Sequence, residues 1–369
     1  MKIIHCADLH LDSKLTANLN PAQAKERKAE LLHTFIRMID YAVEQNVQAI
    51  LIAGDLFDRN QITQTARNTV LQQILNHPEL DIYYLQGNHD VDSFLSNMEE
   101  LPENLHIFSD TWKQYVIENG YEKRIVISGV ELDAGNQDSI YPTLMLNADD
   151  FNIVMLHGQE SEQSGKDKTE IISLRDLRNK GIDYLALGHI HKYKQERLDS
   201  RGIYCYPGCL EGRGFDECGE HGFVLLDINE QNGEFTHTFI PFAYRRLYEV
   251  PVDITGCQTS EDIMQRLNTT LQQQDIASRN LVKLVLTGEV DVTCEKDTEL
   301  LRKQLEDKYY YLKLYDESGW KVDVQSYAKD VSLKGEFIRL VSNAEELSEA
   351  DKAAVIRYGI QALAGEEIQ

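Results

Sequence analysis

Asp and His residues recur just beyond short apolar runs in the first half of the chain. Asp8 and His10 follow residues 3–7. Asp55 follows residues 49–53 through Gly54. Asn88 and His89 follow residues 82–85 within Gln86-Gly87-Asn88-His89-Asp90. His157 follows residues 152–156, and His189 and His191 follow residues 184–187. Carboxylate and neutral imidazole are the usual ligands for Mn²⁺, Zn²⁺ or Fe²⁺. One Gly-Asp is an ordinary turn, and one Asp-x-His is a weak signal. The set is not ordinary. The chain has 11 His, and five of them (His10, His89, His157, His189 and His191) stand at the same place relative to a predicted strand. Asp8 and His10, two apart, point to the same side of an extended chain.

The elements that must position these residues are legible from periodicity. The apolar runs at 3–7, 49–53 and 82–85 read as buried strands. The stretch 21–45 reads as a helix, with Leu31, Leu32, Phe35, Met38, Ile39 and Ala42 on one face, and 63–75 reads as a second. This alternation predicts an α/β fold with a parallel sheet whose C-terminal edge carries the polar residues. Residues 115–117 and 125–128 read as paired strands around the turn signal Asn119-Gly120. Residues 152–156 and 184–187 are further strands, with a helix at 173–179 closed by Gly181. Residues 204–208, 222–228 and 235–240 are expected to complete a second sheet, giving a two-sheet sandwich with helices outside. After about residue 244 the pattern becomes β-α-β-α-β (248–252, 260–274, 281–286, 298–308 and 320–324), a small α+β domain. A last helix spans 349–363, with Ser348 and Asp351 as its capping pair. The expected organisation is thus 1–243, 244–340 and 341–369.

The chain carries 37 basic against 61 acidic residues, a net charge of −24 with His neutral. Such a balance makes the chain by itself a poor non-specific binder of nucleic acid, since that binding rests on Lys and Arg, so a nucleic-acid role would use local basic patches, metal ions or a partner. Local groups such as Arg175, Arg178 and Lys180, or Arg245-Arg246, are the candidate backbone contacts, weighed against ordinary solvated charge. Cys205, Cys209 and Cys218 are clustered without the paired spacing of a zinc site. Six scattered cysteines, no secretory leader and no membrane-length apolar run make the cytoplasm the expected compartment.

Five blocks in this order resemble the calcineurin-like metallophosphoesterases: Asp-x-His at 8–10, Gly-Asp-x-x-Asp at 54–58, Gly-Asn-His-Asp at 87–90, His-Gly at 157–158 and Gly-His-x-His at 188–191. The resemblance implies a four-layer αββα sandwich and a site for two divalent metal ions. Asp8, His10 and His191 would hold one ion; Asn88, His157 and His189 would hold the other; Asp55 would bridge them. His89 would face the phosphate and serve the leaving group, with Asp90 orienting its ring. Two cations roughly 3.5–4 Å apart lower the pKa of a shared water and clamp phosphate oxygens. A bridging carboxylate offsets their repulsion, and the near-neutral pKa of His suits proton donation. Asp58 lies past the strand end and is expected to steady the loop.

Narrower features resemble the SbcD-type branch of DNA double-strand-break-repair nucleases. They are His5 to Asp12, Gly54 to Asp58, the Tyr206-Pro207-Gly208-Cys209 segment with Phe215, and His221-Gly222-Phe223. Cys209 and His221 depart from that branch, which has Ser and Lys there, and this puts a local phosphate contact in doubt. The branch implies a Mn²⁺-dependent exonuclease and endonuclease acting on DNA in repair. It also implies a small C-terminal capping domain, an SMC-like coiled-coil ATPase partner for which the 349–363 helix is the docking candidate, and room for a homodimer. The alternative is a phosphoesterase for a nucleotide or other small phosphoester, and a third reading is a scaffold whose metal site is vestigial.

Overall fold

The structure, a computed structural model, describes residues 1–369 apart from 14, 16–18, 59–61, 88–89, 91–93, 96–99, 118–122, 138, 163–170, 323–326 and 365–369. The chain divides into two units, Met1–Arg246 and Leu247–Gln369, so the C-terminal helices lie within the second. Among the described residues no helix is long and apolar enough to cross a membrane.

The first unit contains strands β1 (Lys2–Cys6), β2 (Ala49–Ala53), β3 (Asp81–Leu85), β4 (Leu105–Ile107), β5 (Lys113–Ile117), β6 (Ile125–Gly129), β7 (Phe151–His157), β8 (Gln159–Ser161), β9 (Ile171–Ser173), β10 (Tyr184–Gly188), β11 (Lys194–Arg197), β12 (Ile203–Tyr206), β13 (Gly222–Ile228) and β14 (Phe235–Pro241). Its helices are α1 (Pro21–Glu44), α2 (Gln64–Asn76) and the single turn α3 (Leu174–Leu177). One sheet has the order β14-β13-β1-β2-β3-β4 and the other β11-β12-β10-β7-β6-β5. The strands β1 to β4 are parallel, as are β6, β7, β10 and β12.

Alternate residues of the central strands serve different layers. Ile3, Leu51, Leu85, Ile127, Ile153, Met155 and Ala186 fill the space between the sheets. Ile4, Cys6, Ile50, Ile52 and Tyr84 turn the other way, onto Phe35, Met38, Val70 and Ile74 of α1 and α2. The far face of the second sheet is covered by Val130, Tyr141, Leu144, Leu174 and Leu177. The expected αββα sandwich is therefore present, although its last layer is mostly loop.

Strands β13 and β14 correct one expectation. They extend the first sheet, antiparallel on β1, and only β12 joins the second. Strand membership is a long-range choice, and the alternation of β13 fits either sheet.

Among the few buried charges of this unit, Arg27 on α1 is 1% exposed. Its Nη1 lies 2.6 Å from Glu30 Oε2 and 3.5 Å from Glu211 Oε2, and its Nη2 donates to Gly212 O at 2.7 Å. Glu211 also accepts from Thr34 Oγ1 at 2.7 Å and from the Tyr244 amide. Removing one partner of such a pair leaves a buried charge uncompensated. Arg27→Ala is expected to cost about 3–5 kcal/mol, read as a shift of the urea midpoint.

The second unit contains β15 (Leu247–Asp253), α4 (Ser260–Gln274), β16 (Leu281–Thr287), β17 (Glu289–Asp291), α5 (Thr298–Leu305), β18 (Tyr311–Asp316), β19 (Gly319–Lys321), α6 (Leu333–Ser342) and α7 (Glu349–Ala364). The order β15-β16-β18 forms a parallel sheet against which Ile263, Leu267 and Leu301 pack. The third strand is thus β18, not the stretch around Trp320, which pairs with β17 instead. The helix α6 carried no strong sequence signal. It shares a small core with α7 through Ile338, Val341 and Ile356, and the Ser348 Oγ cap on the Asp351 amide is present at 3.2 Å.

Candidate metal centre

Because the parallel strands of both sheets end at one edge, their C-terminal loops meet. The meeting requires unusual backbone. Asp8 (φ 51°), His10 (φ 45°), Asp55 (φ 52°) and His189 (φ 105°) all occupy positive φ, a region that non-glycine residues rarely adopt and that clusters at functional sites. The segment from Asp8 to His10 is therefore not extended, contrary to the sequence expectation. Backbone bonds hold it onto the neighbouring loop: Asp8 N to Gly54 O at 3.1 Å, His10 N to Asp55 O at 3.0 Å and Leu11 N to Leu56 O at 2.9 Å.

Glycines make the close approach of the two sheets feasible. A Cβ on Gly188 would lie 1.9 Å from Ala53 O and 2.9 Å from His157 Nδ1. Gly188→Ala is therefore expected to lower stability by about 3 kcal/mol, because a backbone carbonyl cannot move aside as a side-chain tip can. Thermal unfolding of the metal-free variant measures it.

Two groups of ligand atoms result, Asp8 with His10 and His191, and Asp8 with Asp55 and His157, each with its atoms within 4.8 Å of one another. His10 Nε2 lies 3.1 Å from His191 Nε2. Asp55 Oδ2 stands between the groups, 3.7 Å from His10 Nε2 and 3.6 Å from His157 Nε2. Ligand atoms about 2.1 Å from one ion lie about 3.0–3.4 Å apart at octahedral or tetrahedral angles; the 3.1 Å pair falls in that range and the 3.6 and 3.7 Å pairs lie just beyond it. His157 Nδ1 donates to Ala53 O at 2.9 Å, which leaves Nε2 as the ring's lone-pair nitrogen in the neutral form. His191 Nδ1 similarly faces Glu217 Oε1 at 2.6 Å.

The electrostatics also fit a cation. Asp8 and Asp55 are each 1% exposed. Burial pushes the Asp8 carboxyl up to about 8; His191 opposes the rise, and the nearby Asp55 adds to it. Two buried carboxylates side by side are costly unless a positive charge joins them. For His191, burial acts to lower the pKa, but Glu217 and Asp8 outweigh it and the imidazole is raised. Glu217 is held well below the usual carboxylate range, because hydrogen bonds from His191 and Arg213 overcome its burial.

Of the sequence-predicted residues, Asp8, His10, Asp55, His157 and His191 come together. The His189 ring lies outside both ligand groups, edge-on to His157 with centroids 5.5 Å apart, while its amide donates to both Asp8 oxygens at 3.0 and 2.9 Å. Asn88 and His89 lie outside the described residues. The Asp90 carboxylate accepts from the amides of Leu56 (3.2 Å), Phe57 (2.9 Å) and Gly87 (3.0 Å), and burial pushes it up to about 7. It thus braces the loop that carries Asp55. Asp58 accepts from Ser13 Oγ at 2.8 Å, and its other oxygen is 3.9 Å from His10 Nδ1. Glu217 was missed. It is an acid in a loop, and no local pattern marks it.

Residues 1–193 match the family model described as calcineurin-like phosphoesterase. The chain belongs to that family. Over 78% of its length it is 32% identical to a Bacillus subtilis protein named uncharacterized metallophosphoesterase YhaO, covering 72% of that protein. Over its whole length it is 24% identical to the DNA double-strand break repair protein Mre11 of Saccharolobus solfataricus, covering 96% of it. Membership makes the chain a metal-dependent phosphoesterase, and the donor set above is its candidate metal centre.

The four arginines among the candidate basic contacts pair with acids of the chain. Arg178 is paired with Glu162 and Arg175 with Asp176. Arg245 is buried against Glu26 and Glu30, and Arg246 meets Glu220. Cys205 lies in the core between the sheets and Cys209 faces His221, so the three clustered cysteines form no metal group among the described residues.

Proposed function

We propose that the chain is a two-metal phosphodiesterase that cuts DNA with Mn²⁺, as an exonuclease and single-strand endonuclease in repair, beside an SMC-like coiled-coil ATPase. The observation that carries the hydrolytic part is the convergence of donors from both sheets on Asp55 Oδ2. The DNA part is supported by the match to the Mre11 protein, which extends through the second unit and well past residues 1–193.

Asp8, His10 and His191 would hold one ion; Asn88, His157 and His189 the other; Asp55 both. Two divalent ions so placed activate water and neutralise charge on phosphate oxygens. The chain's own residues do the rest. The His189 amide and the Gly54 carbonyl fix the Asp8 carboxylate and backbone. Asp90 holds the 55–57 backbone in register. His89 gives a proton to the leaving oxygen, a step the unperturbed near-neutral pKa of an imidazole suits. Because the net charge is −24, a partner supplies much of the DNA affinity, and α7 is the candidate docking element.

That same charge, with its paired arginines, favours a second reading: hydrolysis of a nucleotide or other small phosphoester. End-labelled hairpin, single-stranded and duplex DNA with Mn²⁺, set against a panel of cyclic nucleotides, separates the two. Uncut DNA alongside rapid nucleotide turnover would sink the nuclease reading.

A further inference from the structure

Two of the three ligand histidines grouped with Asp8, His157 and His191, are backed by different groups. Behind His157 stands a neutral acceptor, the Ala53 carbonyl, at 2.9 Å. Behind His191 stands a carboxylate, Glu217, at 2.6 Å from Nδ1. Glu217 is itself fixed on several sides. The Arg213 amide donates to Oε2 at 2.7 Å and Arg213 Nη2 donates to Oε1 at 2.9 Å. Arg213 Nη2 also approaches His191 Nδ1 at 3.2 Å. Both atoms are donors when Nδ1 carries its proton toward Glu217, so that approach reflects the shared oxygen.

The backbone of the same segment is held as well. His221 Nε2 donates to Glu217 O at 2.8 Å, and the other ring nitrogen meets Cys209 Sγ at 3.1 Å. The Cys209 amide donates to His191 O at 3.1 Å. Cys209 and His221 are the two positions that depart from the Ser and Lys of the resembling branch. They face each other, only 0% and 4% exposed, and so complete one support around His191 and Glu217.

We propose that Glu217 is a positioning residue that fixes the tautomer and ring orientation of His191, and that it makes the position formed by Asp8, His10 and His191 the tighter of two metal positions. The inference rests on the two-metal reading above. The physical ground is that a carboxylate accepting the Nδ1 proton raises the basicity of Nε2 more than a neutral carbonyl does, and removing such an outer partner typically costs 10–100-fold in metal affinity.

The test titrates the full chain with Mn²⁺ alone and reads free Mn²⁺ by electron paramagnetic resonance. The wild type is expected to show two unequal dissociation constants. Glu217→Ala should raise the smaller by about 10–100-fold and leave the larger unchanged. Glu217→Gln keeps an oxygen for Nδ1–H and the side-chain shape; it should weaken the same position less, and it decides the matter if circular dichroism shows the Ala variant unfolded. Equal constants in the wild type, unchanged constants in a folded variant, or a loss shared equally by both positions would overturn the inference. A wild type that takes up fewer than two Mn²⁺ overturns the two-metal reading, and this inference with it.

Discussion

Asp55→Asn is expected to leave the fold intact, release at least one of two bound ions and remove nearly all phosphoesterase activity. Asparagine fills the same volume, so the space beneath Gly87, whose Cβ would stand 2.3 Å from Asp55 Oδ1, is undisturbed. What disappears is the negative charge at the oxygen lying 3.7 Å from His10 Nε2 and 3.6 Å from His157 Nε2. In the proposed two-metal assignment, cations roughly 3.5–4 Å apart would then repel each other across a site that is 1% exposed at this residue, where water screens poorly. Loss of an outer partner alone costs about 10–100-fold, so loss of a shared inner ligand should exceed about 10²-fold. Metal analysis together with the hydrolysis rate checks it, and two retained ions would contradict the bridging assignment.

His89→Ala separates chemistry from metal binding. In the proposed assignment His89 holds no ion and serves only the leaving oxygen. The variant should keep its metal content and its unfolding temperature while kcat falls by about 10²–10⁴-fold, the range for a positioned proton donor. An unchanged rate would favour the reading in which the metal site is vestigial and the chain is a scaffold. The two variants fail differently, the first through its ions and the second with its ions in place. Measured together they assign the defect to a step.

Much of the site could be read before the fold was known. Asp8, His10, Asp55, His157 and His191 were found from their place after apolar runs, because a buried strand announces itself by local composition and ends where polarity begins. The Ser348 cap was legible for the same reason, since its hydrogen bond spans only three residues. The long-range contacts of Asp90 and Glu217 were not legible. The atoms they bind lie 33 or 34 residues away for Leu56 and Phe57, and 26 away for His191.

By itself, then, the sequence determined which residues could bind metal, the strands that deliver them and the family that uses them. Periodicity and strand ends are properties of neighbours along the chain. Only the tertiary structure decided that β13 and β14 join the first sheet, that Asp8 is held by the His189 amide 181 residues on, and that His191 leans on Glu217. Those choices depend on which sheet faces stack and on glycines such as Gly188 that let them approach. Contact energy between distant segments has no period that a linear reading can detect.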